Sequence, residues 1–327
     1  MDNILLDVQD LTMHYTTRGG SVSAVENVSF QLKKGESLGI VGESGCGKTS
    51  VATTLLRLLP DNANIIHGHI LLDGVDITEL KPEEMRKIRW ERISMVFQAA
   101  MNSLNPIYRV GDQIIEALEV HGSVKTNQEA YERIASLFQL VGLDPKLMER
   151  YPHEYSGGMR QRAVIAMALA CHPDLIIADE PTTALDVIVQ DNLLREMAAL
   201  QKKLGMSMIY ISHDIAVIAE VSDRIGVMYA GGLIELASSY EVFHHPRHPY
   251  TCGLMSAFPS IVGPKRPLVT LPGEPPNLEN PPSGCRFHPR CPYAKQKCTQ
   301  KMPEFLDLGN HHFTACYYPV EEKNVVS

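Results

Sequence analysis

Gly42-Glu-Ser-Gly-Cys-Gly47-Lys48-Thr49 fits the pattern G-x-x-x-x-G-K-[ST], and the flanking chain supports it. Leu38, Ile40 and Val41 read as a short buried strand, and Ser50 to Leu59 as a helix stopped at Pro60. In such a strand–loop–helix unit, glycines let backbone amides turn inward around phosphate oxygens, where any Cβ would crowd the anion. The positive end of the following helix adds to the attraction. Lys48 can reach β- and γ-phosphates as a point charge, and the Thr49 hydroxyl is placed to bind Mg2+. A glycine-rich turn beside a surface lysine is the plainer reading, but the strand before and the helix after argue against it. The stretch therefore predicts a nucleotide site formed by Gly42, Glu43, Ser44, Gly45, Cys46, Gly47, Lys48, Thr49 and Ser50.

Around this unit the chain alternates strand and helix patterns. Ile4–Leu11 and Ala24–Leu32 alternate apolar and polar positions, which suits two antiparallel strands. Between them stands Tyr15, an aromatic that could either stack on a base or simply pack. Residues 64–80 read as a further strand and turn, Pro82–Glu91 as a charged helix, and Ile93–Phe97 as a buried strand ending at Gln98. A polar loop, Ala99–Pro106, follows, and from Gly111 to about Arg150 the pattern turns helical. Within it Thr126-Asn-Gln-Glu129 reads as a capping box. Ala130, Ile134, Leu137 and Val141 form one apolar stripe, and Gly142 closes the helix. Tyr155-Ser-Gly-Gly-Met159 then leads into an apolar helix. Leu175–Asp179 is a buried strand with Glu180 next to it, Ala184-Leu-Asp186 opens a helix through Leu204, and Met208–Ser212 is a strand followed by His213. Polar groups where strands end indicate an open parallel sheet, whose ligands sit beyond the carboxyl ends of the strands.

Length and charge bound the rest. The 327 residues suffice for one large or two smaller domains, and a net charge of −8 argues against nucleic acid as a partner. The longest stretch without Asp, Glu, Lys or Arg is His248–Pro264, 17 residues with three prolines. A spanning helix needs about 20 mostly apolar residues, so any membrane role is expected to come through partners. No secretory signal is apparent at the start of the sequence. Past residue 246 the composition shifts: ten of the 21 prolines lie between Pro259 and Pro292, and Cys285, Cys291, Cys298 and Cys316 fall in the last 43 residues. The expected division is a nucleotide domain over 1–245, with a helical subdomain at about 99–165, and a small extension over 246–327. Clustered thiols in a reducing compartment suggest a metal rather than disulfides.

Taken in order and spacing, these motifs resemble the ATP-binding-cassette (ABC) ATPases over residues 4–245. The correspondence covers a P-loop at Gly42–Thr49, a Q-loop at Gln98, a signature at Tyr155–Met159, Asp179–Glu180, a D-loop at Ala184–Asp186 and a switch at His213. The resemblance implies an α/β cassette of the P-loop NTPase class: a parallel-sheet core, an antiparallel β subdomain and an α-helical insertion. It implies that Asp179, with Thr49 and Gln98, serves Mg2+, that Glu180 orients or deprotonates the attacking water, and that His213 and Lys48 act on the γ-phosphate. It further implies that Tyr15 stacks on adenine, and that Ser156, Gly157, Gly158 and Asp186 complete the ATP site of a partner cassette. Tyr155 and Met159 depart from the common Leu-Ser-Gly-Gly-Gln, which leaves the backbone amides in place.

A narrower resemblance rests on Ser156-Gly-Gly-Met, Asp179-Glu-Pro-Thr-Thr-Ala-Leu-Asp-Val187, His248-Pro-Tyr-Thr251 and the cysteine-bearing tail. These resemble the D-type ATPases of oligopeptide and dipeptide permeases. The implied assembly pairs a D-type with an F-type cassette at the cytoplasmic face of the plasma membrane. Two integral membrane subunits sit above the pair, fed by an extracellular binding protein. Ala99–Pro106 and the helical insertion would receive the membrane subunits. Peptide import is the implied function. Nickel or oligosaccharide import by the same architecture, and a soluble ABC ATPase acting on nucleic acid or ribosomes, stand as alternatives. Four thiolates could bind Zn2+ or a [4Fe–4S] cluster, or remain metal-free. The absence of a C-x2-C knuckle, the basic Arg286, Arg290, Lys295 and Lys297 between the cysteines, and the permease resemblance favour the cluster.

Overall fold

Strand β1 (Ile4–Thr17) and strand β2 (Gly20–Lys33) run longer than their alternation indicates. The reason is a bulge. The register of β1 shifts on either side of Thr12, and Asp10 takes a φ of 48°, so Leu11, Thr12 and Met13 are all buried in succession. Strand β3 (Ser37–Val41), wholly buried, leads through the glycine loop into helix α1 (Lys48–Leu55), which ends short of the expected Leu59. Next come β4 (Ala63–Leu72), β5 (Val75–Asp76), α2 (Pro82–Glu91) and β6 (Ile93–Val96). The expected strand thus stops one residue early, and Phe97 is exposed.

The computed structural model describes residues 3–98, 103–183, 186–256 and 271–320. The predicted helical stretch comprises α3 (Val110–Val120) and α4 (Asn127–Leu140). Thr126 Oγ1 accepts from Glu129 N at 3.2 Å, half of the capping box. The Glu129 carboxylate, however, accepts from Lys125 N at 2.9 Å, one residue before the position the motif requires. Ala130, Ile134, Leu137 and Val141 are buried as the stripe predicts, and Gly142 closes the helix with a φ of 72°. The chain continues through α5 (Gly157–Ala168), β7 (Leu175–Asp179), α6 (Val187–Leu204), β8 (Ser207–Ser212), α7 (Ile215–Val221), β9 (Arg224–Tyr229) and β10 (Gly232–Ser238). It ends in α8 (Ser239–His244), α9 (Pro249–Ser256), α10 (Gln296–Gln300) and the two-residue strands β11 (Leu306–Asp307) and β12 (Phe313–Thr314).

Two compact units emerge. The first takes the chain up to Leu5, Leu32–Ser37 and Glu79–Ile211. It holds the parallel ladder β6–β7–β8, pairing Ile93 with Leu175 and Leu175 with Ser207, together with the helices of the insertion. Every residue of β7 and β8 is buried, as expected of strands covered on both faces. The second unit takes Leu6–Gln31, Leu38–Thr78 and the chain from Ser212 onward. It holds the antiparallel sheet β2–β1–β4–β5, the expected β subdomain, and a ladder in which β3 runs parallel to β9 while β10 and β12 continue antiparallel. The tail beyond residue 246 is tied into this unit through Glu235. That carboxylate is fully buried on β10 and accepts from Arg247 N at 2.6 Å, His248 N at 2.8 Å and His312 Nε2 at 2.7 Å. Among the described residues no helix is long and apolar enough to cross a membrane.

Candidate functional site

In the second unit, the loop between β3 and α1 is shaped by close backbone approaches. Gly47 sits at a φ of 103° as the residue before α1, and a Cβ there would overlap the carbonyl oxygen of Ala24; one on Gly42 would overlap that of Met228. No side chain caps α1, so its first amides and its positive dipole end face the loop. Lys48 is buried and folds back over the loop. Its Nζ donates to Gly42 O at 2.7 Å and Glu43 O at 3.0 Å and lies 3.8 Å from Cys46 Sγ. Burial pushes the Cys46 thiol up despite that ammonium, so it is a neutral packing group. Ser44, Gly45 and Thr49 are exposed at the loop's rim. Tyr15 Oη lies 3.3 Å from Ser50 Oγ, which sets the half-buried ring beside α1. His213 is exposed directly after β8.

In the first unit, β7 delivers two carboxylates in sequence. Asp179 ends the strand and is buried; Glu180 follows with a φ of 44°, a left-handed conformation that costs a non-glycine residue roughly 1 kcal/mol or more. Glu180 N donates to Ile211 O at 2.9 Å, which fixes this turn against β8. The Glu180 carboxylate accepts from Gln98 Nε2 at 2.8 Å through Oε2, and the single Thr183 hydroxyl proton is shared between that oxygen at 3.2 Å and Glu180 O at 3.1 Å. Strand pairing of β6 with β7 is what brings Gln98, 82 residues away, to Glu180. The sequence pointed to Gln98 and Glu180 separately. Thr183 stood in the Asp179–Val187 stretch without a role, and there was no sign of one for Gln161 on α5, whose buried amide Nε2 donates to Pro181 O and ties the turn to the signature helix.

The signature residues stand where a helix begins. Ser156 is the N-cap of α5, its Oγ accepting from Met159 N at 3.3 Å, and Gly157 and Gly158 form the first turn. Tyr155, in place of the common leucine, keeps a buried ring there, and its Oη donates to Leu147 O, which satisfies the hydroxyl. Asp186 caps α6, accepting from Val189 N at 3.0 Å. Ala184, Leu185 and the loop residues 99–102 lie outside the described residues.

All four tail cysteines line one small pocket in the second unit, shared with His288 and Phe287. They are free thiols. Backbone amides of Phe287 and His288 point at Cys285, that of Tyr293 at Cys291, and that of Tyr318 at Cys316, the last at 3.4 Å. Burial, with repulsion among the sulfurs, raises Cys285 and Cys291 and pushes Cys316 up to about 12. Two expectations need correcting. Among the described residues no three His, Cys, Asp or Glu side chains are gathered closely enough to hold a single metal ion, the tail cysteines included. The interleaved basic residues are also engaged elsewhere: Arg286 with Glu26, Arg290 with Glu43, and Lys295 and Lys297 over the rings of Tyr318 and Tyr317.

Comparison with known proteins fits this geometry. A sequence profile described as "ABC transporter" matches residues 25–183, and one described as "Oligopeptide/dipeptide transporter, C-terminal region" matches residues 234–298. The chain is 45% identical to a probable peptide ABC transporter ATP-binding protein of Sinorhizobium fredii, across 99% of this chain and 97% of that one. It is 44% identical to the oligopeptide transport ATP-binding protein OppD of Escherichia coli, across 97% and 94%. It is 45% identical to the dipeptide transport ATP-binding protein DppD of Bacillus subtilis, across 96% and 94%. Among solved structures, a dimeric ATP-binding cassette in a post-hydrolysis state with ADP and Pi aligns at a TM-score of 0.64 and 26% identity, covering 72% of this chain and 99% of that one.

Proposed function

The chain belongs to the ABC transporter ATP-binding proteins of the oligopeptide/dipeptide type, and we propose on that basis how its residues power peptide import. It is an ATPase, and ATP hydrolysis drives the import. The observation that carries the reading is the glycine loop at α1: amides and a lysine converge where side chains have no room. In the proposed mechanism the loop amides from Gly42 to Ser50 bind the phosphates, with Glu43, Ser44, Gly45 and Cys46 supplying backbone. Lys48 moves from the Gly42 and Glu43 carbonyls to the β- and γ-phosphates, and Tyr15 stacks on adenine. The donor set suits a hard cation. Thr49, Gln98 and the buried Asp179 would hold Mg2+, which supplies charge neutralisation at the β- and γ-phosphates. Glu180, already oriented by Gln98 and Thr183, takes the proton of the attacking water, and His213 holds the γ-phosphate in line.

The first turn of α5 serves a second nucleotide. Ser156, Gly157 and Gly158, with Asp186, would face the γ-phosphate on a partner cassette of the F type, so that two ATP molecules join two cassettes and hydrolysis separates them. Two membrane permease subunits and an extracellular binding protein complete the assembly at the cytoplasmic face of the plasma membrane. In this reading 1–245 is the nucleotide domain, with a helical subdomain at about 99–165, and 246–327 is the permease-type extension. Cys285, Cys291, Cys298 and Cys316 would hold a [4Fe–4S] cluster, a structural centre. Four thiols lining one pocket, with backbone amides aimed at Cys285, Cys291 and Cys316, support a cluster over Zn2+.

The assembled transporter in proteoliposomes, loaded with binding protein and labelled peptide, tests the function. Uptake that depends on ATP and disappears with Lys48→Ala is expected. ATPase activity stimulated by nucleic acid rather than by peptide-loaded binding protein would overturn it.

A further inference from the structure

Glu43, inside the phosphate loop, is gripped by a residue 247 positions further along the chain. Arg290 donates Nη1 to Glu43 Oε2 at 2.8 Å and Nη2 to Oε1 at 3.0 Å, a bidentate fork. The guanidinium is nearly buried and is itself oriented: Nη1 lies 3.3 Å from Tyr229 Oη, and Nε donates to Pro272 O at 2.8 Å. The backbone of Glu43 is held as well, its N donating to Tyr250 Oη at 3.1 Å. Arg286 forms a second arm. Its Nη1 donates to Ala230 O, and the next residue, Gly231, donates its N to Cys46 O at 2.9 Å. Of the residues that flank Cys285 and Cys291, Arg290 thus holds the loop directly at Glu43, and Arg286 holds the Ala230–Gly231 turn that meets it at Cys46.

A carboxylate is an odd occupant of a loop that receives a polyphosphate. Unpaired, it would repel the anion; forked to Arg290, it adds no net charge and gains one geometry. We propose that Arg290 is a positioning residue for nucleotide binding, which neutralises and orients Glu43 and so makes the cysteine-bearing tail a brace for the phosphate loop. The proposal rests on reading that loop as the ATP site.

The test is equilibrium titration of the full-length chain with a fluorescent ATP analogue and Mg2+. Arg290→Ala is expected to weaken Kd about tenfold, equivalent to about 1.4 kcal/mol, and Arg290→Lys, which keeps charge but loses the fork, about threefold. Adding Glu43→Gln to Arg290→Ala removes the uncompensated charge and is expected to bring Kd back to within about threefold of the parent, a rescue that lost packing would not produce. An Arg290→Ala variant with unchanged affinity, or a loss that Glu43→Gln leaves in place, overturns the proposal. Should Arg290→Ala fail to fold, Arg290→Gln, which removes the charge and keeps most of the volume, takes its place in the same comparison. Lys48→Ala separates the two readings. If the parent fails to bind the analogue, or Lys48→Ala binds it equally well, the ATP site itself is misassigned; if Lys48→Ala abolishes binding and Arg290 variants do not alter it, only the brace is wrong.

Discussion

Gln98 donates its side-chain amide to the carboxylate of Glu180 across 2.8 Å, joining the residues that lie just past β6 and β7. The pairing orients a carboxylate whose backbone is already constrained at a φ of 44°. Replacing Glu180 by Gln keeps the shape and removes the base. In the assembled transporter, ATP turnover should fall at least about 100-fold while nucleotide binding persists, as read by phosphate release beside analogue titration. An undiminished rate would remove Glu180 from the mechanism.

Gly47→Ala meets two penalties together, a positive φ and overlap with the Ala24 carbonyl. The expected loss is about 2–4 kcal/mol of unfolding free energy, with nucleotide binding impaired because the amides before α1 must shift. Urea denaturation measures the first. A Gly47→Ala variant as stable as the parent would show that the loop tolerates a different path.

Tyr155→Phe removes a buried hydroxyl and leaves the Leu147 carbonyl without that donor. The cost should be about 1–2 kcal/mol, and Leu, the residue more usual in the signature, should cost more because the aromatic ring's volume goes as well. Thermal unfolding of the two variants distinguishes a structural tyrosine from a dispensable one; equal melting of all three chains excludes the role.

Purification without oxygen should yield a brown chain with absorption near roughly 400 nm and about four irons, if the tail cysteines bind a cluster. Cys298→Ser should lose the colour and bind less iron. Stoichiometric zinc without iron would decide for the smaller centre.

Much of the site was legible because its chemistry is local. The glycine loop, Asp179–Glu180, and the Ser156 cap each sit within a few residues of the strand or helix that aims them. The antiparallel pair was found but cut short, because the bulge at Asp10 breaks the two-residue period just where the strand continues. The capping box misled in detail, because Glu129 reaches Lys125 N instead of Thr126 N. Pairings such as Gln161 with Pro181 and Arg290 with Glu43 were out of reach: they depend on which segments the fold brings together, and no periodicity records that. The basic residues between the cysteines looked like counter-charges for a centre beside them, yet two of them answer carboxylates elsewhere in the chain.

The three donors that satisfy Glu235 all come from beyond residue 246. Cutting the gene to a minimal cassette would therefore take away all three bonds together with the strand that covers β10 at Glu235, leaving a carboxylate on an opened sheet edge. A shortened version would need that edge redesigned from the outset.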